Sequence, residues 1–221
     1  MSLASSWAAL RRRGRTALIP YITAGFPDAD ATRAFLGGAA DAGADLIELG
    51  VPWSDPVADG PVIQASSHAS LAGGTTLASV LDLLAASRPR VPVMLFSYLN
   101  PLLAFGPERF AARAREAGAA GVLVTDLPVG ADPGVEALLR SSGLPLVRLV
   151  APTSTPERLR TIAAASEGFV YLVARLGVTG RGTGAPGHRG SELADRIAAV
   201  RAVTSLPVAV GFGISEPEQA V

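Results

Sequence analysis

Short apolar runs alternate along the chain with amphipathic stretches of helical period, and the alternation repeats seven times. Runs at 17–23, 46–50, 91–98, 121–125, 146–150, 169–174 and 207–210 are near-continuously apolar, the pattern of strands buried on both faces of a parallel sheet. Between them the sequence predicts helices that follow Asp28 as a cap, span roughly 76–87, start near Pro107, cover about 133–141, open at Thr155-Pro156-Glu157 and run from about 191 to 203. A further amphipathic helix over 2–13, with Leu3, Trp7 and Leu10 at helical spacing, precedes the first strand. Strand–helix alternation predicts a parallel α/β architecture. Seven units without a halfway switch favour a (β/α)8 barrel, the TIM-barrel class, over a doubly wound sheet.

No linker or low-complexity segment interrupts the pattern, so 1–221 reads as a single barrel domain. Ser215-Glu216-Pro217-Glu218 has the form of a helix start, yet the chain ends at Val221. The expectation is a barrel with its eighth strand–helix unit missing at the C-terminus, leaving open edges on the first and seventh strands.

Composition narrows the chemistry. Apolar residues make up 49% and charged residues 17%, which predicts a sizeable core and no disorder. Net charge is zero, so nothing favours nucleic acid or an anionic membrane. The cluster at 11–15 reads as a solvated helix end. No long apolar run and no signal-peptide pattern occurs, which suggests a cytoplasmic protein. There is no cysteine, hence no thiol nucleophile or thiolate metal site. All nineteen basic residues are arginine, so catalysis through a lysine Schiff base is impossible. The two histidines, His68 and His188, are far apart, and no metal is expected. Acid–base work falls to carboxylates, tyrosines or one lone histidine.

Two carboxylates stand out. Glu48 lies inside the apolar run 44–51, where ionisation is costly and burial would raise its pKa toward a general-acid range. Eleven residues later Asp59 sits in a loop stiffened by Pro52, Pro56 and Pro61. The bland reading, a strand-end glutamate satisfied by backbone and then a surface loop, weighs about equally on these residues alone. In a barrel the working face is the C-terminal end of the strands, where Glu48 and Asp59 could reach one pocket. Tyr21 and Tyr171 alternate with apolar neighbours and read as inward-pointing; such tyrosines are more often core than catalytic. The glycine-rich stretch 177–184 and Gly211-Phe212-Gly213 fall on adjacent strand ends, which is a reason to expect a phosphorylated substrate.

The stretch E-L-G-V-P-W-S-D-P-V-A-D-G-P-V-I-Q at 48–64 resembles the signature of the tryptophan synthase α chain family. The likeness continues through P-Y-I-T-A-G-F-P (20–27), S-Y-L-N-P (97–101), V-T-D-L-P (124–128), R-L-G-V-T-G (175–180) and V-G-F-G-I-S-E-P-E-Q-A (210–220). The resemblance implies a carbon–carbon lyase that cleaves indole-3-glycerol phosphate to indole and glyceraldehyde 3-phosphate in tryptophan biosynthesis. It implies Glu48 as general acid–base and Asp59 as acceptor of the indole N–H. It places Tyr21, Phe96, Tyr98, Tyr171 and Phe212 around the indole, and Thr179, Gly180 and Gly213 on the phosphate loops. Asp55 falls in a loop that meets a β chain in an α2β2 assembly. That partner carries pyridoxal phosphate, and no cofactor is expected in this chain. The family's eighth-strand glycine-serine segment is absent, and the loop after Gly180 is unusually rich in glycine. Two other readings stay open: a stand-alone lyase, and a non-catalytic subunit that activates the β chain.

Overall fold

The computed structural model describes residues 2–174 and 189–211. Among these residues are seven strands: β1 (Tyr21–Thr23), β2 (Ile47–Gly50), β3 (Val93–Ser97), β4 (Gly121–Val124), β5 (Leu146–Val150), β6 (Val170–Val173) and β7 (Val208–Gly211). All pair in parallel in the order in which they occur along the chain. A sheet without a switch in strand order is the barrel's topology, not the doubly wound one.

The sheet is curled. Phe96 on β3 has its ring centroid 6.0 Å from that of Tyr171 on β6. In a flat sheet these strands would be about 14 Å apart, three spacings of about 4.8 Å. Tyr21 on β1 also packs against Phe96, with ring centroids 5.8 Å apart. One apolar cluster therefore fills the concave side, with Leu46, Met94, Phe96, Leu123, Val147 and Tyr171. The alternate residues Ile47, Leu49, Val93, Leu95, Val122 and Val124 point outward against helices.

α1 (Leu3–Arg13) precedes the first strand, and around the outside run α2 (Ala29–Gly38), α3 (Pro61–Ala72), α4 (Leu77–Ser87), α5 (Leu99–Phe105), α6 (Pro107–Glu116), α7 (Pro133–Ser141), α8 (Pro156–Ala165) and α9 (Arg189–Arg201). The expected cap of α2 is present, Asp28 accepting the Ala31 N–H at 2.7 Å, and the structure adds a reciprocal cap of α4 by Thr76 and Ser79. α1 packs against the concave cluster, Trp7 lying 5.5 Å from Phe169. Among the described residues no single helix is long and apolar enough to cross a membrane.

Two differences from the sequence reading have physical causes. The first strand is only Tyr21–Thr23, not 17–23. Pro20 has no N–H to donate, and Leu18 gives its own to the Asp45 carboxylate at 2.9 Å instead of a ladder carbonyl. The segment between β2 and α4 reads as loop but contains α3, opened by Gly60 and Pro61. Its buried residues are Ser66, Ser67 and Ser70, so no apolar period marks it. The short α5 is likewise absent from the sequence pattern.

Candidate active site

Glu48 is on β2 with Leu46 and Glu48 facing inward and Ile47 and Leu49 facing out. It lies in register with Tyr21 on one side and Met94 on the other. Only 4% of the residue is exposed. Burial pushes its carboxyl up to about 8, so the group is mostly neutral at pH 7.

Asp59 reaches the same interior from the loop before α3 and is 7% exposed. The loop is pinned at several points: Asp59 N–H donates to Pro56 O at 2.9 Å, and Gln64 Nε2 donates to Asp59 O at 2.8 Å. The Tyr98 hydroxyl donates to Asp59 Oδ2 at 3.0 Å, while Ala58 N–H donates to that hydroxyl, also at 3.0 Å. Burial raises the Asp59 carboxyl, and the Tyr98 hydrogen bond works against the rise.

The tyrosines tie the two acids together. Burial raises the Tyr21 phenol far above its usual value, and the Asp59 and Glu48 charges add to this. Burial and then the Glu48 charge raise Tyr171 in the same way. Both acids thus stand near one phenol, and Glu48 near two. Phe96 packs edge-on against both Tyr21 and Tyr171, forming an aromatic wall with them.

Glycines make room for these rings. A Cβ on Gly50 would lie 2.0 Å from the Tyr21 hydroxyl, and one on Gly211 would lie 1.8 Å from that of Tyr171. The offset is the same in both places: each glycine is two residues beyond the tyrosine's register partner on the next strand. Nothing local in the sequence marks Gly50 as a spacer, because its partner lies 29 residues earlier on another strand.

The structure thus brings together Glu48, Asp59, Tyr21, Phe96, Tyr98 and Tyr171. Thr179, Gly180, Phe212 and Gly213 lie outside the described residues. Asp55 is exposed on the same loop as Asp59, its carboxylate accepting the Ser54 hydroxyl at 2.5 Å. Asp126, to which the sequence assigns no role, accepts the Leu99 N–H through Oδ1 at 2.7 Å, capping α5 from a neighbouring strand end. Among the described residues, no group of three or more His, Asp or Glu could hold a metal. A buried neutral acid, a second carboxylate held by a phenol and an aromatic wall suit proton transfer to a flat, electron-rich substrate.

Comparison with known proteins shows the family. A family model described as tryptophan synthase alpha chain matches residues 7–221. The tryptophan synthase alpha chain of Gloeobacter violaceus is 50% identical over 220 residues, covering 99% of this chain and 78% of that protein. The crystal structure of tryptophan synthase subunit alpha from Legionella pneumophila superimposes with a TM-score of 0.87 at 34% identity, over 99% of this chain and 81% of that one. A chain from the tryptophan synthase a2b2 complex of Pyrococcus furiosus matches with a TM-score of 0.83 at 39% identity, over 92% and 81%.

Proposed function

The chain belongs to the tryptophan synthase alpha chain family, and from that premise we propose that Glu48 and Asp59 carry the family's lyase reaction in it. The family cleaves indole-3-glycerol phosphate to indole and glyceraldehyde 3-phosphate, the α reaction. The observation that carries the assignment of residues is the buried, largely neutral carboxyl of Glu48 and a second acid fixed by Tyr98, both near the Tyr21 phenol.

Cleavage requires a proton on indole C3 before the C3–C1′ bond can break. Neutral Glu48 supplies it, and the positive charge that develops on the ring is centred at the indole nitrogen. Asp59 accepts the N–H there and stabilises that charge. The resulting Glu48 carboxylate then takes the proton of the C1′ hydroxyl. As the carbonyl of glyceraldehyde 3-phosphate forms, the C3–C1′ electrons return to the ring. Glu48 ends as it began, and no outside oxidant or metal enters the balance.

Tyr21, Phe96, Tyr98, Tyr171 and Phe212 surround the indole in this reading, and Thr179, Gly180 and Gly213 bind phosphate through their loops. A β chain is the proposed partner in an α2β2 assembly. Asp55 and the exposed apolar side chains Val57, Val62 and Leu103 support this, since all lie on loops or helices that follow β2 and β3. Pyridoxal phosphate belongs to that β chain. This chain has no lysine with which to hold it as a Schiff base.

The test is indole release from indole-3-glycerol phosphate by the protein with its β chain, wild type against Glu48→Gln. The expected result is turnover in the wild type and none in the variant, with the fold intact by circular dichroism. Wild-type turnover in Glu48→Gln would overturn the assignment.

A further inference from the structure

We infer that Tyr98 is a positioning residue for Asp59, a clamp whose hydroxyl fixes one carboxylate oxygen and whose own place is set by Asp126. The inference rests on the role given above to Asp59 and adds how that acid is aimed and kept charged.

Tyr98 follows β3 and is the residue before α5, the cap position of that helix. Its own side chain makes no capping bond there. Asp126, at the end of β4, does so in its stead by accepting the Leu99 N–H at 2.7 Å. Tyr98 is thereby held from the neighbouring strand end and remains free to reach across to the loop after β2. The residue is 4% exposed, so its ring has no room to swing.

The hydroxyl has a defined direction. A phenol has one proton and accepts through its oxygen lone pairs. Ala58 N–H donates to the Tyr98 oxygen at 3.0 Å, which turns the phenol proton toward Asp59 Oδ2, also at 3.0 Å. A donor aimed at a carboxylate stabilises its charged form. Ala58 and Asp59 are adjacent, so one hydroxyl grips both the backbone and the side chain of the same loop. The result is an Asp59 in a fixed orientation before substrate arrives, with the phenol favouring its charged form against the effect of burial.

Other contacts to Asp59 do not substitute for this one. The Pro56 and Gln64 bonds engage its backbone and leave the carboxylate free to rotate. Burial alone would favour the neutral acid, which cannot stabilise a cationic ring.

The experiment compares Tyr98→Phe, Asp59→Asn and the double variant, each with the β chain, by kcat/KM against pH and by binding of a non-cleavable indole-3-alkyl phosphate. Tyr98→Phe keeps the ring and should lower kcat/KM about ten- to a hundred-fold, the range for a hydrogen bond to a charged group. Its acid limb should move to higher pH, because Asp59 then holds its proton longer. In the Asp59→Asn background the same change should have no further effect on analogue binding. An unmoved acid limb, or an equal loss in both backgrounds, would overturn the clamp and leave the Asp59 role standing. Undiminished turnover in Asp59→Asn alone would remove that role, and the clamp with it.

Discussion

Tyr21 and Gly50 are complementary in shape: the phenol of one fills the volume that a side chain on the other would occupy. A Cβ at Gly50 would stand 2.0 Å from the hydroxyl and 2.5 Å from the ring carbon that bears it. The ring cannot retreat, since Phe96 packs edge-on against it at 5.8 Å. Glycine at this strand end is therefore a consequence of the aromatic wall, not of backbone conformation.

Gly50→Ala is accordingly expected to cost about 1–3 kcal/mol, the range for overpacking a filled core, and to lower turnover by displacing Tyr21 beside Glu48. Adding Tyr21→Phe should not rescue it, because the ring carbon still collides. Tyr21→Leu should restore stability but not activity. Urea midpoints and indole release separate the two effects.

Glu48 makes stability and function depend on pH in the same sense, both falling as it ionises. Its folded pKa, about 8, is above its ordinary value of 4.5. The folded state thus binds the proton more tightly, and the stability this gives is complete below pH 4.5. That stability is lost progressively as pH rises to about 8 and is gone above it. Glu48→Gln cannot ionise, so the variant should match wild type near pH 4.5. At about pH 9 it should exceed wild type by a few kcal/mol, because a tenfold difference in proton affinity between folded and unfolded states is worth about 1.4 kcal/mol. Wild-type kcat/KM should fall on the alkaline side near pH 8 as the general acid is lost. Equal melting temperatures for the two proteins at about pH 9 would contradict this account of Glu48.

The repeating apolar runs make the barrel topology legible, and Asp28 and Thr155-Pro156-Glu157 mark the starts of α2 and α8, because those features are local in sequence. Glu48 and Asp59 are legible as a buried acid and a proline-bound one, though their partners are not. The Tyr98–Asp59 bond spans 39 residues and the Asp126 cap 27, and no local pattern encodes either. α3 is hidden for another reason. It packs on β1 through hydroxyls, Ser70 donating to Ala24 O at 2.6 Å and Ser66 meeting Thr23 at 2.7 Å, so its buried face reads as polar.

Leu3 anchors α1 to the sheet and should be the most sensitive residue of that helix. It is 2% exposed and lies against two glycines: a Cβ on Gly168 would be 2.6 Å from its Cδ1, and one on Gly121 3.2 Å. Leu3→Ala is expected to cost about 2–4 kcal/mol, as for other buried leucines. The loss should appear as a lower urea midpoint with an unchanged slope.

Among the described residues the strongest polar constraint outside the site is the ion pair of Arg148 on β5 with Glu136 on α7. Both side chains are nearly inaccessible, at 3% and 10%. Arg148 also donates to Leu127 O at 3.1 Å, and Glu136 accepts the Gly130 N–H at 2.7 Å, so the pair ties down the loop from β4 to α7. Burial lowers the Arg148 pKa, and the Glu136 charge opposes that. Removing the acid alone leaves a buried cation without its partner, and Glu136→Ala should cost about 3–5 kcal/mol. Replacing both with apolar residues of similar volume removes both desolvation penalties, so Arg148→Met with Glu136→Leu should fall within about 1–2 kcal/mol of wild type. The loop would still lose its two backbone bonds in that double variant. A double variant as unstable as Glu136→Ala would show that the loop contacts, rather than the buried charge, carry the cost.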